Sequence, residues 1–575
     1  MRPVRWQLPE GSIDAAAEAI SKELKLHPLA ARILAGRGMR TVDAAREFLD
    51  DGLAKLPDPF RMKGMPQTVE RLARAIEKGE KITLWGDYDV DGVSSTALLS
   101  LFLRELGGTV ATTIPHRLGE GYGLNAQGIE RIARDGTKVL VTLDCGITSH
   151  AEVALGGARG LDVIVVDHHA VPETMPPALA VLNPLQPGCD YPTRHLCAAG
   201  VTFNLCMGLR KALREQGVFQ HKKEPNLRGY LDLVALATVA DVVPLTGANR
   251  ILVRHGLAEL TRGARPGVQA LKEVAGLTGA EITAGHVGFR LGPRINAAGR
   301  LDDASVGLRC LTAPSLEEAM PLARALDTAN RDRQEIERAM IEAAMAQAAE
   351  CVERGAKGLV LYSDDWHPGV VGIVASRVVE RFSRPTVMVG VHEGLGRGSA
   401  RSIEGFHLYD ALKECSGHLR KFGGHKHAAG LSIEPAELAE FRAQFEAVAG
   451  ERLTEGDLVP RCRVDAVVSV AELDEAATQA LEVLAPFGAG NPTPVLAVRH
   501  QVAQPRVLAA KKEGEPGHLK LRLEAAPQLD VIGFRLAEKL ALTEGPVDLA
   551  FQLELDEWNG KTRVQLKLKD LRSAS

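Results

Sequence analysis

The 575-residue chain is 45% hydrophobic and 25% charged, a composition that can bury large cores and excludes an intrinsically disordered polypeptide. Its length exceeds the roughly 250–300 residues at which single cores stop growing, so about three or four domains are expected. With 69 basic and 73 acidic residues the net charge is −4, which excludes a global field that would gather a polyanion and leaves any nucleic-acid binding to local basic surfaces.

The first roughly 50 residues carry no assignable signal. From Ile82 to His169 short apolar runs alternate with helical patterns: Ile82-Thr83-Leu84-Trp85, a helix over about 94–106, Val139-Leu140-Val141-Thr142-Leu143, then Val163-Ile164-Val165-Val166. This is βαβ grammar and predicts a mostly parallel α/β sheet. Motifs bearing Asp or His follow three of these runs directly: Asp87-Tyr88-Asp89-Val90-Asp91-Gly92, Asp144-Cys145-Gly146 and Asp167-His168-His169. Ligands bind at the carboxyl ends of strands in open α/β sheets, so motifs distant in sequence are expected to converge on one edge. A helix-like apolar stretch over 231–240 ends in a fourth acidic site, Asp241-Val242-Val243-Pro244-Leu245.

Residues 315–354 are rich in Ala, Glu, Arg and Met and predict one or two long helices connecting two lobes. A second α/β unit is expected from Gly358-Leu359-Val360-Leu361-Tyr362 to about Gly450, with Thr386-Val387-Met388-Val389 as another strand. Beyond Leu458 alternating strands such as Leu519-Lys520-Leu521-Arg522-Leu523 predict a β-rich domain compatible with an OB-fold. Gly488-Ala489-Gly490-Asn491-Pro492 is a strong turn signal. Eight cysteines without a CxxC pair, and an N-terminus lacking a secretory signal, predict a cytoplasmic protein with reduced thiols. No apolar run reaches the roughly 18 residues of a membrane span.

Asp87, Asp89 and Asp91 stand at alternate positions after a strand, and carboxylates so close repel one another unless a cation neutralises them. Two plainer readings compete: helix capping, and an EF-hand calcium loop. The second needs Glu at the twelfth position, where Leu98 stands. Adjacent histidines at the end of a strand should point to opposite sides, one to metal and one to substrate. A carboxylate and imidazole set without thiolate spacing suits Mn²⁺ or Mg²⁺. Two ions are expected, with Asp144 bridging them and Asp89, Asp91, His168 and Asp241 completing the pair for phosphoester hydrolysis.

These four motifs, in this order, resemble the DHH phosphoesterase superfamily. Gly292-Pro293-Arg294-Ile295-Asn296-Ala297-Ala298-Gly299-Arg300-Leu301, Arg397-Gly398-Ser399-Ala400-Arg401-Ser402 and the segment 423–430 resemble, within it, the bacterial single-strand-specific exonucleases, over nearly the whole chain. The resemblance implies metal ligands at Asp89, Asp91, Asp144, His168 and Asp241, His169 near the scissile phosphate, and Asp87 and Asp167 in support. It implies phosphate contacts from Arg294, Asn296, Arg300, Ser399, Arg401, Gly423, Gly424 and His425. Ala400 stands where the family pattern has Gly.

The implied organisation is an N-terminal segment (1–50), a DHH catalytic domain (51–250), a helical connector (251–355), a DHH-associated substrate-binding domain (356–450) and an OB-fold domain (451–575). The implied activity is 5′-to-3′ degradation of single-stranded DNA to mononucleotides in DNA repair and recombination. The implied partners are a single-strand-binding protein and a RecQ-type helicase, around a monomeric enzyme. Basic candidates for strand binding in the last domain are Arg506, Lys511, Lys512, Lys520 and Arg522, and Phe487, Phe534, Phe551 and Trp558 are candidates for stacking or for core. A phosphodiesterase for short oligonucleotides or cyclic dinucleotides and a non-catalytic DNA-binding scaffold stand as alternatives, opposed by the extra C-terminal domain and by the intact acidic motifs respectively.

Overall fold

The apolar runs of the N-terminal half pair as five parallel strands in a computed structural model that describes residues 4–9, 13–115, 123–301, 303–510, 516–558 and 561–574. They are β1 (Lys81–Gly86), β2 (Thr109–Thr113), β3 (Val139–Leu143), β4 (Asp162–Val166) and β5 (Ala180–Leu182), in the spatial order β2-β1-β3-β4-β5. Every residue of β3 is buried, which is why its run is apolar at every position but Thr142. The edge strand β2 is largely half-exposed and reads Thr-Val-Ala-Thr-Thr, so it carries little hydrophobic signal. After β1 the chain adds β2 on one side and returns to add β3 on the other. The carboxyl ends of β1 and β3 therefore flank the point where the strand order reverses, the position at which open α/β sheets bind ligands.

Helices α1 (Val90–Glu105), α2 (Ala198–Glu215) and α3 (Leu231–Ala240) share one hydrophobic core with this sheet. Leu98, which stands where a calcium loop would need Glu, is fully buried in that core. Helix α3 is apolar apart from Asp232 and Thr238 and correspondingly buried, opening only at its carboxyl end, where Asp241 follows. Helix α4 (Gly292–Leu301) carries the middle motif. These elements belong to one compact unit, Arg46–Arg331 together with Leu484–Thr493. The Ala- and Glu-rich region forms a single helix, α5 (Leu316–Glu353).

The second unit comprises Met1–Ala45, Asp332–Val483 and Pro494–Ser575. Its α/β part has strands β6 (Leu359–Ser363), β7 (Thr386–His392), β8 (Leu395–Arg401), β9 (Lys421–Gly424) and β10 (Ala428–Ile433) in the order β9-β10-β8-β7-β6, with helix α6 (Val371–Phe382) packed on β7 and β8. Ala400 lies in regular β8, paired with Val387 and Ala429 and wholly buried, so the strand accommodates its methyl where the family pattern has Gly. The C-terminal sheet has seven strands, β11 (Ala466–Val467), β12 (Leu496–Gln501), β13 (Ala503–Leu508), β14 (His518–Leu523), β15 (Asp530–Gly533), β16 (Val547–Trp558) and β17 (Lys561–Ser573). Their order is β11-β12-β16-β17-β15-β14-β13. The N-terminal strand Arg5–Gln7 pairs with Arg461–Arg463, and Arg37 is ion-paired to Asp465 at 2.9 Å, so the unassigned first residues are part of this unit. No helix of the described residues is long and apolar enough to cross a membrane.

Candidate metal centre

The register of the parallel sheet brings the motifs into one row. Gly86 pairs with Leu143, Leu143 with Val166 and Val166 with Leu182. One residue further along each strand, the amides of Asp87, Asp144 and Asp167 donate to Leu143 O, Val166 O and Leu182 O at 3.1, 3.0 and 3.0 Å. Asp87, Asp144, Asp167 and Asn183 thus stand side by side along the carboxyl edge. Asn183 closes the row: its Nδ2 donates to His169 O at 2.9 Å and its Oδ1 accepts from Leu185 N at 2.8 Å. Sequence reasoning did not include Asn183, although Asn183-Pro184 follows the run Ala180-Val181-Leu182 in the same way that the acids follow theirs.

Asp144 sits in the left-handed region at φ 65°, which Asp tolerates better than most residues, and its carboxylate is directed into the cluster. His168 Nε2 lies 3.1 Å from Asp144 Oδ1, 3.6 Å from Asp91 Oδ2 and 3.7 Å from Asp241 Oδ2. Among the described residues three sets of potential ligand atoms form, each with its atoms within 4.8 Å of one another: Asp144 with His168 and His169, Asp91 with His168 and Asp241, and Asp87 with Asp89 and Asp144. Asp144 and His168 each belong to two sets, as residues between two cations would. Asp167 belongs to none. Its Oδ1 accepts from the amides of His168 and His169 and from His169 Nδ1 at 2.7, 3.0 and 2.7 Å, while Oδ2 accepts from Ile147 N at 3.0 Å, so it orients both histidines.

The two imidazoles do not diverge as expected. Strand β4 ends at Val166, so the alternation of strand faces no longer governs residues 168 and 169, and the rings lie together with centroids 4.5 Å apart.

Asp91 is held from two sides. Its Oδ2 and Oδ1 accept from the amides of Ala198 and Ala199 at 2.6 and 2.8 Å, at the N-terminus of α2, where the helix dipole favours a negative charge. Asp89 caps α1, accepting from Asp91 N and Gly92 N at 2.8 and 3.1 Å. The capping reading is therefore correct for Asp89 without displacing the metal reading, since among the described residues the cap uses Oδ1 alone.

Electrostatics make the centre a cation site. Burial, and then neighbouring Asp89, raise the Asp91 carboxyl to about 7; burial, Asp91 and Asp89 raise Asp241 to about 9; burial and the surrounding acids push Asp144 well up. Burial, with the adjacent His169 charge, lowers His168 to about 4, leaving it the neutral imidazole that a metal needs. Burial opposes the charge on His169, but the hydrogen bond and charge of Asp167 hold it up to about 9. Among the described residues, His168 Nε2 and Asp241 Oδ2 are buried without a hydrogen-bond partner, as atoms with ligand work would be. The residues present fit divalent cations: hard carboxylate oxygens, one neutral imidazole, and mutual repulsion that only positive charge relieves.

The middle motif has partners of its own. Asn296 Oδ1 accepts from Val90 N at 3.0 Å, and a Cβ on Gly299 would stand 2.3 Å from Tyr88 O, so α4 lies directly on the Asp87-Tyr88-Asp89-Val90-Asp91 loop. Arg294 is ion-paired to Asp327 at 2.9 Å and donates to Arg290 O at 2.5 Å. Arg300 is half-buried on the same helix.

In the second unit, β8 and β10 align Ser399 with Gly430 and Arg401 with Ala428, and β9 places Gly423 beside Gly430. Arg401 donates to Ser399 Oγ at 3.0 Å. A Cβ on Gly372, in the first turn of α6, would lie 2.8 Å from Ser399 Oγ and 3.1 Å from the Arg401 guanidinium, so a helix N-terminus, a hydroxyl and a guanidinium share one spot. Sequence reasoning missed Gly372. His367-Pro368-Gly369 ahead of the periodic Val370-Val371-Gly372-Ile373-Val374 was a readable helix-start signal. Gly423 faces open space, and His425 is exposed in the turn that Gly424 begins at φ 144°. Of the C-terminal candidates, Phe551 is core, Phe534 is exposed and Phe487 is half-buried. Arg506 and Lys520 are cross-strand partners beside exposed Arg522, with Lys520 paired to Asp530 at 2.7 Å. Lys511, Lys512 and the Trp558 side chain lie outside the described residues.

A parallel sheet whose switch point carries this Asp and His cluster defines a DHH-type phosphoesterase. Family comparisons agree: the DHH family N-terminal domain matches residues 81–238, the DHHA1 domain 355–451 and the RecJ OB domain 464–570. The chain is 40% identical to the single-stranded-DNA-specific exonuclease RecJ of Dickeya dadantii, covering 95% of this chain and 96% of that one. It is 38% identical to the Escherichia coli protein of the same name, covering 98% and 99%. The crystal structure of RecJ in complex with Mn²⁺ from Thermus thermophilus superposes with a TM-score of 0.84 at 34% identity, covering 100% of this chain and 80% of that one. A Mg²⁺ complex from the same organism matches with a TM-score of 0.79 at 31% identity, covering 100% of this chain and 79% of that one. The chain belongs to the RecJ family.

Proposed function

We propose that the chain is a metal-dependent exonuclease that hydrolyses single-stranded DNA from the 5′ end to mononucleotides, in DNA repair and recombination. The observation that carries this reading is the cluster of acids and histidines at the sheet switch point, in a chain that matches single-stranded-DNA-specific exonucleases over nearly its full length.

Asp89, Asp91, Asp144, His168 and Asp241 would hold two Mn²⁺ or Mg²⁺ ions, with Asp144 between them and Asp87 in support. When bound, the ions activate a water as nucleophile and neutralise charge on the phosphate. The remaining chemistry belongs to the chain. Asp167 fixes the His169 ring through Nδ1 and keeps it protonated, so Nε2 presents a proton to the scissile phosphate. The α2 amides on Asp91 and the Asn296 bond to Val90 keep the ligand loop from drifting as substrate arrives. Arg294 and Asn296 are proposed phosphate contacts, oriented by the Arg294 ion pair with Asp327 and by the bond that Asn296 accepts from the Val90 amide. Arg300 remains a proposed phosphate contact. In the second unit Ser399, Arg401, Gly423, Gly424 and His425 receive a phosphate group: burial lowers the Arg401 pKa, yet the guanidinium stays charged, and Gly423 lets a strand approach the backbone.

The organisation expected from the sequence, from the N-terminal segment to the OB-fold domain, is retained as a proposal, as are a cytoplasmic location, a monomeric state, and a single-strand-binding protein and RecQ-type helicase as partners. The test is incubation with Mn²⁺ and long single-stranded DNA, duplex DNA or a dinucleotide, each labelled at either end. Mononucleotides released first from the 5′ end of the long single strand are expected. Preference for the dinucleotide would indicate a small-substrate phosphodiesterase, and absence of hydrolysis would indicate a scaffold.

A further inference from the structure

We infer that the turn Gly488-Ala489-Gly490-Asn491 is a positioning element of the metal centre: it holds the segment after Asp241 in the path that aims the Asp241 carboxylate at His168. This rests on the metal-centre reading above, and extends it to a motif that reading leaves without a task.

Helix α3 ends at Ala240, and the Asp241 amide still donates to Ala237 O at 2.9 Å. The next residue, Val242, has φ 60°. A β-branched residue adopts the left-handed region only when its surroundings impose it. Val242 is 68% exposed, so its own side-chain packing does not impose it. The constraint lies two and three residues on. Leu245 N donates to Ala489 O at 2.7 Å, and Pro244 O accepts from Asn249 Nδ2 at 3.0 Å. A Cβ on Gly490 would come within 2.9 Å of Pro244 Cβ and one on Gly488 within 2.7 Å of Leu245 Cδ1, so the turn lies backbone-down on Pro244 and Leu245.

The turn is itself rigid. Gly488 N donates to Asn491 O at 2.8 Å and Asn491 N to Gly488 O at 3.2 Å, while buried Asn491 donates through Nδ2 to Leu484 O and Pro486 O at 2.8 and 2.9 Å. The guanidinium of buried Arg250 donates to Leu484 O at 2.8 Å and to Phe48 O at 3.0 Å. A chain end leaving α3 in an unfavourable conformation is thus pinned from outside, and the carboxylate at the start of the turn is the one 3.7 Å from His168 Nε2. Groups that orient a ligand without touching the metal tune affinity, typically by about 10–100-fold.

The test uses the full chain with Gly490→Ala, which adds a methyl against Pro244 at a residue with φ 71°, and Asn491→Ala as a second variant should the first fail to fold. Mn²⁺ binding is read by electron paramagnetic resonance, independently of turnover. The Mn²⁺ dependence of cleavage and the Kd for single-stranded DNA in EDTA are then measured. Mn²⁺ affinity is expected to fall about tenfold, cleavage to be restored by raising Mn²⁺, and metal-free DNA binding to stay within about twofold. Unchanged Mn²⁺ affinity in a folded variant would overturn the inference and leave the turn as a mere anchor for the chain on either side of it. Weakened Mn²⁺ binding in a protein that does not cleave DNA would uphold it while overturning the nuclease reading.

Discussion

Gly299→Ala tests whether the middle motif works by position. Residue 299 lies on α4, and its added methyl would stand 2.3 Å from Tyr88 O, about 1 Å inside ordinary contact, with Tyr88 C at 3.2 Å. The obstacle is backbone on both sides, so no side chain can swing away. Either α4 or the loop carrying Asp87, Asp89 and Asp91 must move by about that amount. Misplacement of a reacting group by about 1 Å costs on the order of 100-fold in rate, whereas overpacking costs about 1–3 kcal/mol of stability. The expected result is therefore a kcat for single-stranded DNA lowered about 100-fold at saturating Mn²⁺, with a modest loss in urea midpoint and little change in KM. The assay is steady-state release of labelled mononucleotide alongside denaturant unfolding. A folded variant with kcat within about threefold of the parent would refute the claim that this helix contact sets ligand geometry.

Asp144→Asn is expected to abolish hydrolysis while single-stranded DNA binding stays measurable by fluorescence anisotropy; near-parental turnover would place the bridging ligand elsewhere. Metal binding should stabilise the fold more at high pH. Burial and mutual repulsion hold Asp91 at about 7 and Asp241 at about 9, above their unfolded values, so the metal-free fold is favoured at low pH and loses stability as pH rises through those values. The gain in Tm on adding Mn²⁺ should accordingly be larger at about pH 8.5 than at about pH 5.5, and equal gains would contradict the cluster electrostatics. Arg506→Glu with Arg522→Glu should weaken binding of long single strands and flatten the salt dependence by roughly 0.7 per lost phosphate contact. An unchanged salt slope would take that strip out of the DNA path.

Much of the centre was legible because its residues follow apolar runs. Asp87, Asp144 and Asp167 each begin where a buried strand stops, and Asp241 where an apolar helix stops, so type and spacing alone marked them as candidates. Asn183 escaped because its strand is only three residues long, and β2 because an edge strand need not be apolar. The direction of the histidines was misjudged for a local reason: a rule for strands was applied past the end of one. Arg294 and Asn296 stood out as candidate phosphate contacts because motif residues that are polar suggest a ligand. Only the folded chain revealed Asp327 and the Val90 amide as their partners.

By itself, then, the chain order of hydrophobic runs and acids determined a parallel α/β sheet, a metal-binding chemistry and a β-rich end, because periodicity and charge repulsion are properties of neighbours along the chain. Tertiary structure alone decided which strands stand at the switch point, that the Asp167 carboxylate is bonded to the His169 ring and the His168 amide, and that Gly299 and the 488–491 turn press on the loops carrying Asp91 and Asp241. Those arrangements join residues far apart in sequence, set by register and close packing, and nothing local encodes them.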